Sequence, residues 1–165
     1  MESLGTALMD LFGALEQSSL GFKIRSSALL YPVANVTHVL GAILLVGPIV
    51  MLDLRLLGLS RRIPLRLMAQ HLLPWAIFGL LVMLVSGFLL FTAEATAYAV
   101  NPVFQFKAAL IAAGILNAII FELSARRNWR DWENYSVPLG ARLLALLSLV
   151  IWLLVAISGR LIAYF

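Results

Sequence analysis

The chain has 165 residues, of which 62% are apolar and only 12% are charged, and its formal net charge is +4. Because about a quarter of the residues in a water-soluble domain are charged, this composition excludes an ordinary soluble protein and predicts an integral membrane protein. At roughly 20 apolar residues for each crossing of the hydrocarbon core, the length allows four transmembrane helices. The chain contains no cysteine, which excludes disulfides, thiolate metal sites and Fe–S clusters held by this chain.

Residues 1–22 are the first predicted element, an interfacial amphipathic helix. Its apolar side holds Leu4, Leu8, Leu11, Phe12 and Leu15, and its polar side holds Glu2, Thr6, Asp10, Glu16 and Gln17. The segment has no basic start and no contiguous apolar run, so we expect it to stay attached rather than to be cleaved as a signal peptide. Because an acidic helix binds anionic lipid poorly, docking onto the bundle or onto a partner subunit is the expected use.

Four long apolar stretches follow, and they predict membrane spans at about 32–57, 72–91, 102–121 and 142–160. Only helices or closed barrels satisfy the backbone in lipid, and continuous apolar runs without alternation exclude the barrel. Pro48 is expected to kink the first span, since it removes one helix hydrogen bond. The predicted fold class is all-α: a single integral membrane domain over 1–165, with a four-transmembrane-helix bundle preceded by the amphipathic helix.

The basic residues predict the orientation. The loops after the first and third spans hold Arg55, Arg61, Arg62, Arg66, Arg126, Arg127, Arg130 and Arg142. The intervening loop, about 92–101, contains Glu94 and no basic residue. The positive-inside rule therefore puts both Arg-rich loops in the cytoplasm and both termini outside. The net positive charge then reflects topology, and no nucleic-acid partner is expected.

A polar layer is predicted near the outer ends of the spans. At a rise of 1.5 Å per residue, His38 lies about 9 Å and Lys107 about 8 Å below the outer ends of their helices. Polar residues at this depth are costly in lipid, so they are candidates for function. The same layer should contain Ser86, Gly87, Ser158 and Gly159, with Arg160 just above it and Glu94, Tyr98, Asn101 and Gln105 as its roof.

Two further expectations concern the opposite, inner ends of the spans. His71 lies there, about 20 Å from His38, which disfavours a haem held by both histidines of one chain. Asp53 and Arg55 are expected to pair with each other or with neighbours in the Arg-rich loop, as anchors at the interface. His38 itself has an alternative role as a hydrogen-bonding residue between helices, and Lys107 as a side chain that snorkels outward.

Several motifs carry a resemblance to known families. The segments "IRSSALLYPVANVTHVLG", "LDLRLLG", "LLPW", "SGFLLF" and "NPVFQFK" resemble a family of uncharacterised bacterial four-helix inner-membrane proteins over nearly the whole chain. The chain is also similar, more loosely, to CopD-type copper-resistance membrane proteins and to haem-containing four-helix protoporphyrinogen oxidases. The features shared with these are His38, the nearby Gly41, the signature Asp53-Leu54-Arg55-Leu56 and Lys107.

The resemblance implies a haem site in the bacterial inner membrane. His38 would correspond to the haem-associated histidine of the oxidases and Lys107 to their lysine in the third span, whereas their second histidine is Asn117 here. We therefore expect haem b with His38 as the iron ligand, Gly41 leaving space beside the ring, Ser86 in the same layer, and Lys107 or Arg160 pairing with a propionate.

The expected function is electron transfer, or service as an accessory subunit of a membrane redox complex. The expected partners are membrane lipid and protein subunits or further copies of the chain. Two alternatives remain open: a structural or assembly subunit without a cofactor, and copper handling at the outer face. Whether the protein is an enzyme is left open as well.

Overall fold

The computed structural model describes residues 2–59, 61–125, 132, 137–162 and 164. In this part the chain forms seven helices: α1 Glu2–Glu16, α2 Ser19–Ser26, α3 Leu30–Leu57, α4 Leu65–Ala93, α5 Ala95–Val100, α6 Pro102–Ala125 and α7 Leu139–Leu161. Arg126, Arg127 and Arg130, on which part of the orientation prediction depends, lie outside the described residues.

Four of these helices, α3, α4, α6 and α7, are long and apolar enough to cross a membrane. The all-α four-helix bundle is therefore confirmed, and its composition indicates a multi-pass membrane protein. The predicted spans lie within these helices, and α4 begins seven residues before the predicted 72. Its first turns continue as helix because Leu65 and Ala69 are buried against Leu52 and Leu56 of α3.

The bundle has two distinct ends. The α5 end comprises α5, the starts of α3 and α6, and the last turns of α4 and α7, while the loop end carries the α3–α4 connection. At the loop end α3 stops at Gly58, whose φ of 112° is in the left-handed region. Arg55 holds this loop by donating to the backbone oxygens of Ile63, at 2.8 Å, and Arg61, at 3.3 Å. Arg55 thus pairs with neighbours in the loop as expected, whereas Asp53 does not and is hydrogen-bonded to Ser148 of α7 instead.

The four long helices pack in the order α4, α3, α7, α6. The α3–α4 contact is backbone to backbone, because a Cβ on Gly79 would lie 2.5 Å from Leu45 N and 2.8 Å from Gly41 O. Between α4 and α6 the backbones of the described residues hardly approach each other, and the side-chain contact that joins the two helices at the α5 end is Phe91 on Phe104. Below that contact the bundle is open along one side, between these two helices.

The N-terminal region docks on the α5 end of its own bundle. The single helix predicted over 1–22 is divided at 17–18, because the Ser18 side chain caps α2 by accepting from Gly21 N at 3.2 Å. On α1, Phe12 packs edge-on against Phe91 of α4, with ring centroids 5.6 Å apart. Glu16, expected on the polar side, turns inward and accepts hydrogen bonds from Thr96 N at 2.9 Å and Thr96 Oγ1 at 2.6 Å.

Docking of α1 is expected to depend on pH through Glu16. The hydrogen bonds from Thr96, followed by the charge of Arg25, hold the pKa of Glu16 below its ordinary value. A carboxyl with a lowered pKa binds a proton more readily when undocked, so docking is favoured above the ordinary pKa and weakens as the pH falls through the lowered one. Glu16→Gln should reduce the amide hydrogen-exchange protection of α1 at neutral pH and remove this pH dependence.

The matched control for this prediction is Asp10→Asn, which neutralises an exposed carboxylate on the same helix. It should leave both the protection of α1 and its pH dependence as in the wild type. Equal loss of protection in the two variants would contradict a specific role for the Glu16–Thr96 contact.

Candidate functional site

The open side of the bundle leads into a cavity of about 720 Å³. Its walls come from α3, α4, α6 and α7, and α5 lies over it at one end. Along α3 it extends from Tyr31 to Leu45, about 21 Å at 1.5 Å per residue. Its volume falls within the roughly 300–1,000 Å³ of small-molecule and cofactor sites. The cavity is large enough for a cofactor held within the bundle.

The lining of this cavity changes from polar to apolar with depth. The polar residues at the α5 end are Tyr31, Asn35, Glu94, Tyr98 and Asn101, and the deep apolar residues are Leu45, Leu80, Met83, Ile111 and Trp152. His38 and Lys107 lie on the walls and bring an imidazole and an ammonium group to the same cavity. The two residues, which the sequence predicts at the same depth, thus line the same cavity.

The orientation of His38 is fixed by α4. Its Nδ1 lies 3.0 Å from Ser86 Oγ, and the Ser86 hydroxyl donates to the Val82 carbonyl oxygen at 2.6 Å. Because that hydroxyl proton is already used, Ser86 Oγ accepts a proton from Nδ1, which assigns the neutral ring its Nδ1–H tautomer. The lone pair is then on Nε2, so Nε2 is the nitrogen that can bind a ligand.

A glycine makes room for the imidazole, but it is not the expected one. A Cβ on Gly87 would lie 2.9 Å from His38 Cε1, so the ring fits only because residue 87 lacks a side chain. Gly41 instead faces α4, where a Cβ would lie 2.9 Å from Val82 Cγ1 and 3.0 Å from Met83 Cγ. The expectation that Gly41 leaves space beside the ring is therefore wrong, because that space is filled by α4.

Lys107 is half-buried, and its ammonium group lies against α7. A Cβ on Gly159 would be 3.2 Å from Lys107 Nζ, so this glycine accommodates the lysine as Gly87 accommodates the histidine. Within the described residues Lys107 forms no ion pair, which leaves its charge available to an anionic group in the cavity.

Arg160 does not join this site. Its guanidinium is exposed, donates to the Tyr164 hydroxyl at 3.0 Å and lies 5.3 Å from the centroid of that ring. It is absent from the cavity lining, because its position on α7 turns it away from the side on which Gly159 faces Lys107. Of the predicted residues, the structure brings together His38, Ser86 and Lys107, and not Gly41 or Arg160.

Aromatic rings close the α5 end of the cavity. Phe91 stacks on Phe104, with centroids 5.4 Å apart, and on Tyr98, at 6.4 Å. Burial, followed by the hydrogen bond with Tyr31, raises the pKa of Tyr98, so its hydroxyl stays protonated at neutral pH. Glu94, Tyr98 and Asn101 line the cavity as the sequence predicts, whereas Gln105 bonds to the Ala99 carbonyl at 2.8 Å.

The side chains that could bind a metal or a cofactor restrict the chemistry of the site. Among the described residues no group of three or more His, Asp or Glu side chains could enclose a metal ion. The cavity offers one imidazole nitrogen, one ammonium group and apolar walls at depth, with hydroxyl and amide groups and the Glu94 carboxyl at the α5 end. This set suits a largely apolar cofactor that needs a single axial nitrogen and carries an acidic substituent.

Comparison with known proteins gives a family for the chain. No curated protein and no solved structure matches it. Residues 11–165 match a family of unknown function, DUF6644, and the matched region includes every residue of the cavity. The chain therefore belongs to the DUF6644 family of proteins of unknown function.

Proposed function

We propose that this protein binds a b-type haem in the cavity, with His38 as an axial ligand, and that it transfers electrons or serves as an accessory subunit of a membrane redox complex. The observation that carries the proposal is the His38–Ser86 hydrogen bond. It holds the ring by Nδ1 and leaves Nε2 for iron, in a cavity that also contains Lys107. Histidines that bind haem iron or other metals ordinarily have a hydrogen-bond partner on the nitrogen that does not bind the metal.

The residues of the cavity fit such a group in three respects. His38 would hold the iron through its imidazole, Lys107 would supply the charge for an acidic substituent, and Trp152 with its apolar neighbours would exclude water from the macrocycle. A bound haem supplies one-electron redox chemistry. The protein's own part is to orient the imidazole through Ser86 and to keep the site apolar, which sets the ligand strength and the local dielectric.

The proposed orientation and partners follow from the same layout. With the Arg-rich α3–α4 loop in the cytoplasm, the α5 end of the cavity would face the outside of a bacterial inner membrane. The haem would then lie close to the outer surface, within reach of an external or membrane-bound redox subunit. If the likeness of His38 and Lys107 to the oxidase residues holds, it favours haem at this position, and the likeness to CopD-type proteins would favour copper as an alternative cargo.

The absorption spectrum and metal content of the purified protein test the proposal. After expression with adequate haem supply, we expect a Soret band and a molar ratio of iron to protein chain close to one. Copper without a Soret band would favour copper handling instead. Protein that is folded and contains neither iron nor copper would contradict both.

Lys107→Met is expected to weaken haem binding by about tenfold, since it removes a charge-assisted contact with an acidic substituent. Haem titration of the variant in detergent or nanodiscs measures the change in dissociation constant. Lys23→Met, which removes an exposed charge on α2, is the matched control and should bind haem as the wild type does. Unchanged affinity in Lys107→Met would show that its charge does not face the cofactor.

A structural or assembly subunit without cofactor is the second candidate function. It is favoured by one observation: the His38–Ser86 bond already joins α3 to α4, as polar residues between membrane helices do. On this alternative the wild type has no Soret band, and His38→Ala costs only about 1 kcal/mol of bundle stability.

A further inference from the structure

A second set of polar side chains lies in the other half of the bundle, away from the cavity. Asp53 of α3, Asn117 of α6 and Ser148 of α7 are 6%, 6% and 7% exposed. Ser148 stands between two apolar clusters, one containing Ala145 and the other Ile151 and Trp152. These three polar residues, the Asp53 cluster, are therefore enclosed by apolar side chains within the membrane-spanning helices.

Two oxygen atoms of the Asp53 cluster accept no hydrogen bond within the described residues. Asp53 is bonded to the Ser148 side chain, and Asn117 Nδ2 donates to the Leu144 carbonyl oxygen at 3.1 Å. Asp53 Oδ2 and Asn117 Oδ1 are fully buried and have no hydrogen-bond partner in the described part of the chain. Because Leu144 and Ser148 lie one helical turn apart on the same face of α7, both side chains meet α7 within about one turn of each other. Unsatisfied oxygens are thus brought to one turn of α7 from two sides.

Among the residues that the structure describes, no charged side chain pairs with Asp53. Arg55, two residues away, is used by the loop carbonyls of Ile63 and Arg61. The other charged or titratable residues described toward this end of the bundle are Arg66, His71, Glu122 and Arg142, and none of them pairs with Asp53. The buried Nε of Arg142 on α7 also has no hydrogen-bond partner among the described residues. A buried carboxylate without a counter-charge is strongly unfavourable in an apolar medium, and a cation or a proton bound at Asp53 would remove that cost.

We propose that Asp53, Asn117 and Ser148 form a binding site for a small monovalent cation, either Na⁺ or a proton. Carboxylate, amide and hydroxyl oxygens are hard ligands of the kind that alkali and alkaline-earth cations take in proteins. Sites that couple Na⁺ or H⁺ to membrane proteins likewise lie within the bilayer and use buried oxygens. This site is separate from the cavity and does not depend on haem binding.

Dicyclohexylcarbodiimide, an apolar reagent for buried carboxylic acids, tests the proposal on the full-length protein. The acid proton passes to a carbodiimide nitrogen, the carboxyl oxygen bonds to the central carbon, and an acyl shift to nitrogen gives a stable N-acylurea without a leaving group. Peptide mass spectrometry locates the adduct. In sodium-free buffer we expect labelling at Asp53, and none at this position in Asp53→Asn.

Added salt distinguishes the two cations. Loss of the Asp53 adduct in sodium chloride but not in choline chloride identifies Na⁺, and an adduct insensitive to sodium identifies the proton; both results support the site. Ser148→Ala and Asn117→Leu should change the labelling rate, or the sodium concentration that gives half protection, by several-fold. Ser158→Ala, a buried serine on the same helix bonded to Val155 O, is the control and should match the wild type.

Two results would overturn the proposal. One is the absence of any Asp53 adduct in sodium-free buffer, since an ionised carboxylate paired with a protein cation does not react. The other is labelling of Ser148→Ala and Asn117→Leu at the wild-type rate and with the wild-type response to sodium. Size-exclusion profiles of each variant show that the comparison is made on folded protein.

Discussion

His38→Ala is expected to abolish the Soret band of the purified protein. The substitution removes the imidazole whose Nε2 is left available by the Ser86 contact, and Ser86 does not replace it because a hydroxyl is a poor haem ligand. The loss should be nearly complete, because the cavity offers no second histidine. Haem content by absorption, measured against protein concentration, gives the result.

The control for this prediction is His71→Ala. His71 is exposed on α4, with Nδ1 bonded to the Leu67 carbonyl oxygen at 3.0 Å, and it does not line the cavity. The variant should retain the wild-type haem content. A band that survives in His38→Ala and disappears in His71→Ala would refute the assignment of the ligand.

Gly79→Ala is expected to destabilise the bundle by about 1–3 kcal/mol, the usual range for overpacking. A Cβ at this position would lie 2.5 Å from Leu45 N and 2.6 Å from Leu44 C, and these are backbone atoms that cannot rotate away. Helices α3 and α4 would have to separate, which also disturbs the wall that holds His38 against Ser86. Unfolding in a denaturing detergent titration measures the free energy.

Gly140→Ala is the matched control for this effect. Gly140 lies near the start of α7, and a Cβ there would have no neighbour within 4 Å. The same substitution should leave stability unchanged, or raise it by up to about 1 kcal/mol through the better helix propensity of alanine. Similar destabilisation in both variants would mean that the loss does not come from the α3–α4 contact.

The four spans could be predicted from the sequence because a run of about 20 apolar residues can be recognised without knowing how the helices pack. The start of α4 could not, since Arg66, Gln70 and His71 lower the hydropathy of turns that are nevertheless helical. Helix α5 has only six residues, too few for a periodic pattern, so its position over the cavity was not predicted. Hydropathy locates the part of a helix that suits lipid, and tertiary packing determines where the helix ends.

The candidate site could be predicted only in part, for a geometric reason. Depth along a helix follows from a constant rise, and this placed His38 and Lys107 together. The direction in which a residue faces depends on the rotation and packing of its helix, and the rise per residue gives neither of these. The sequence therefore predicts for Gly41 the role that Gly87 has, and it predicts Arg160 at a cavity from which this side chain points away.

The N-terminal helix illustrates the same limit. Its amphipathic spacing correctly predicted a helix, and Leu8 and Leu11 on its apolar side remain exposed. Glu16 belongs to the polar side by spacing, yet it points inward because Thr96 of α5 offers two donors. A contact between residues 80 positions apart cannot be read from local periodicity.

Titration of haem into haem-free protein tests the central claim most directly, with wild type and His38→Gly reconstituted in nanodiscs. We predict that the wild type gives a Soret shift that saturates at one haem per chain. His38→Gly should bind weakly and recover the spectrum when imidazole is added, since the vacated space accepts a free ligand. Equal binding by His38→Gly without imidazole, or no saturable shift in the wild type, would contradict haem ligation by His38.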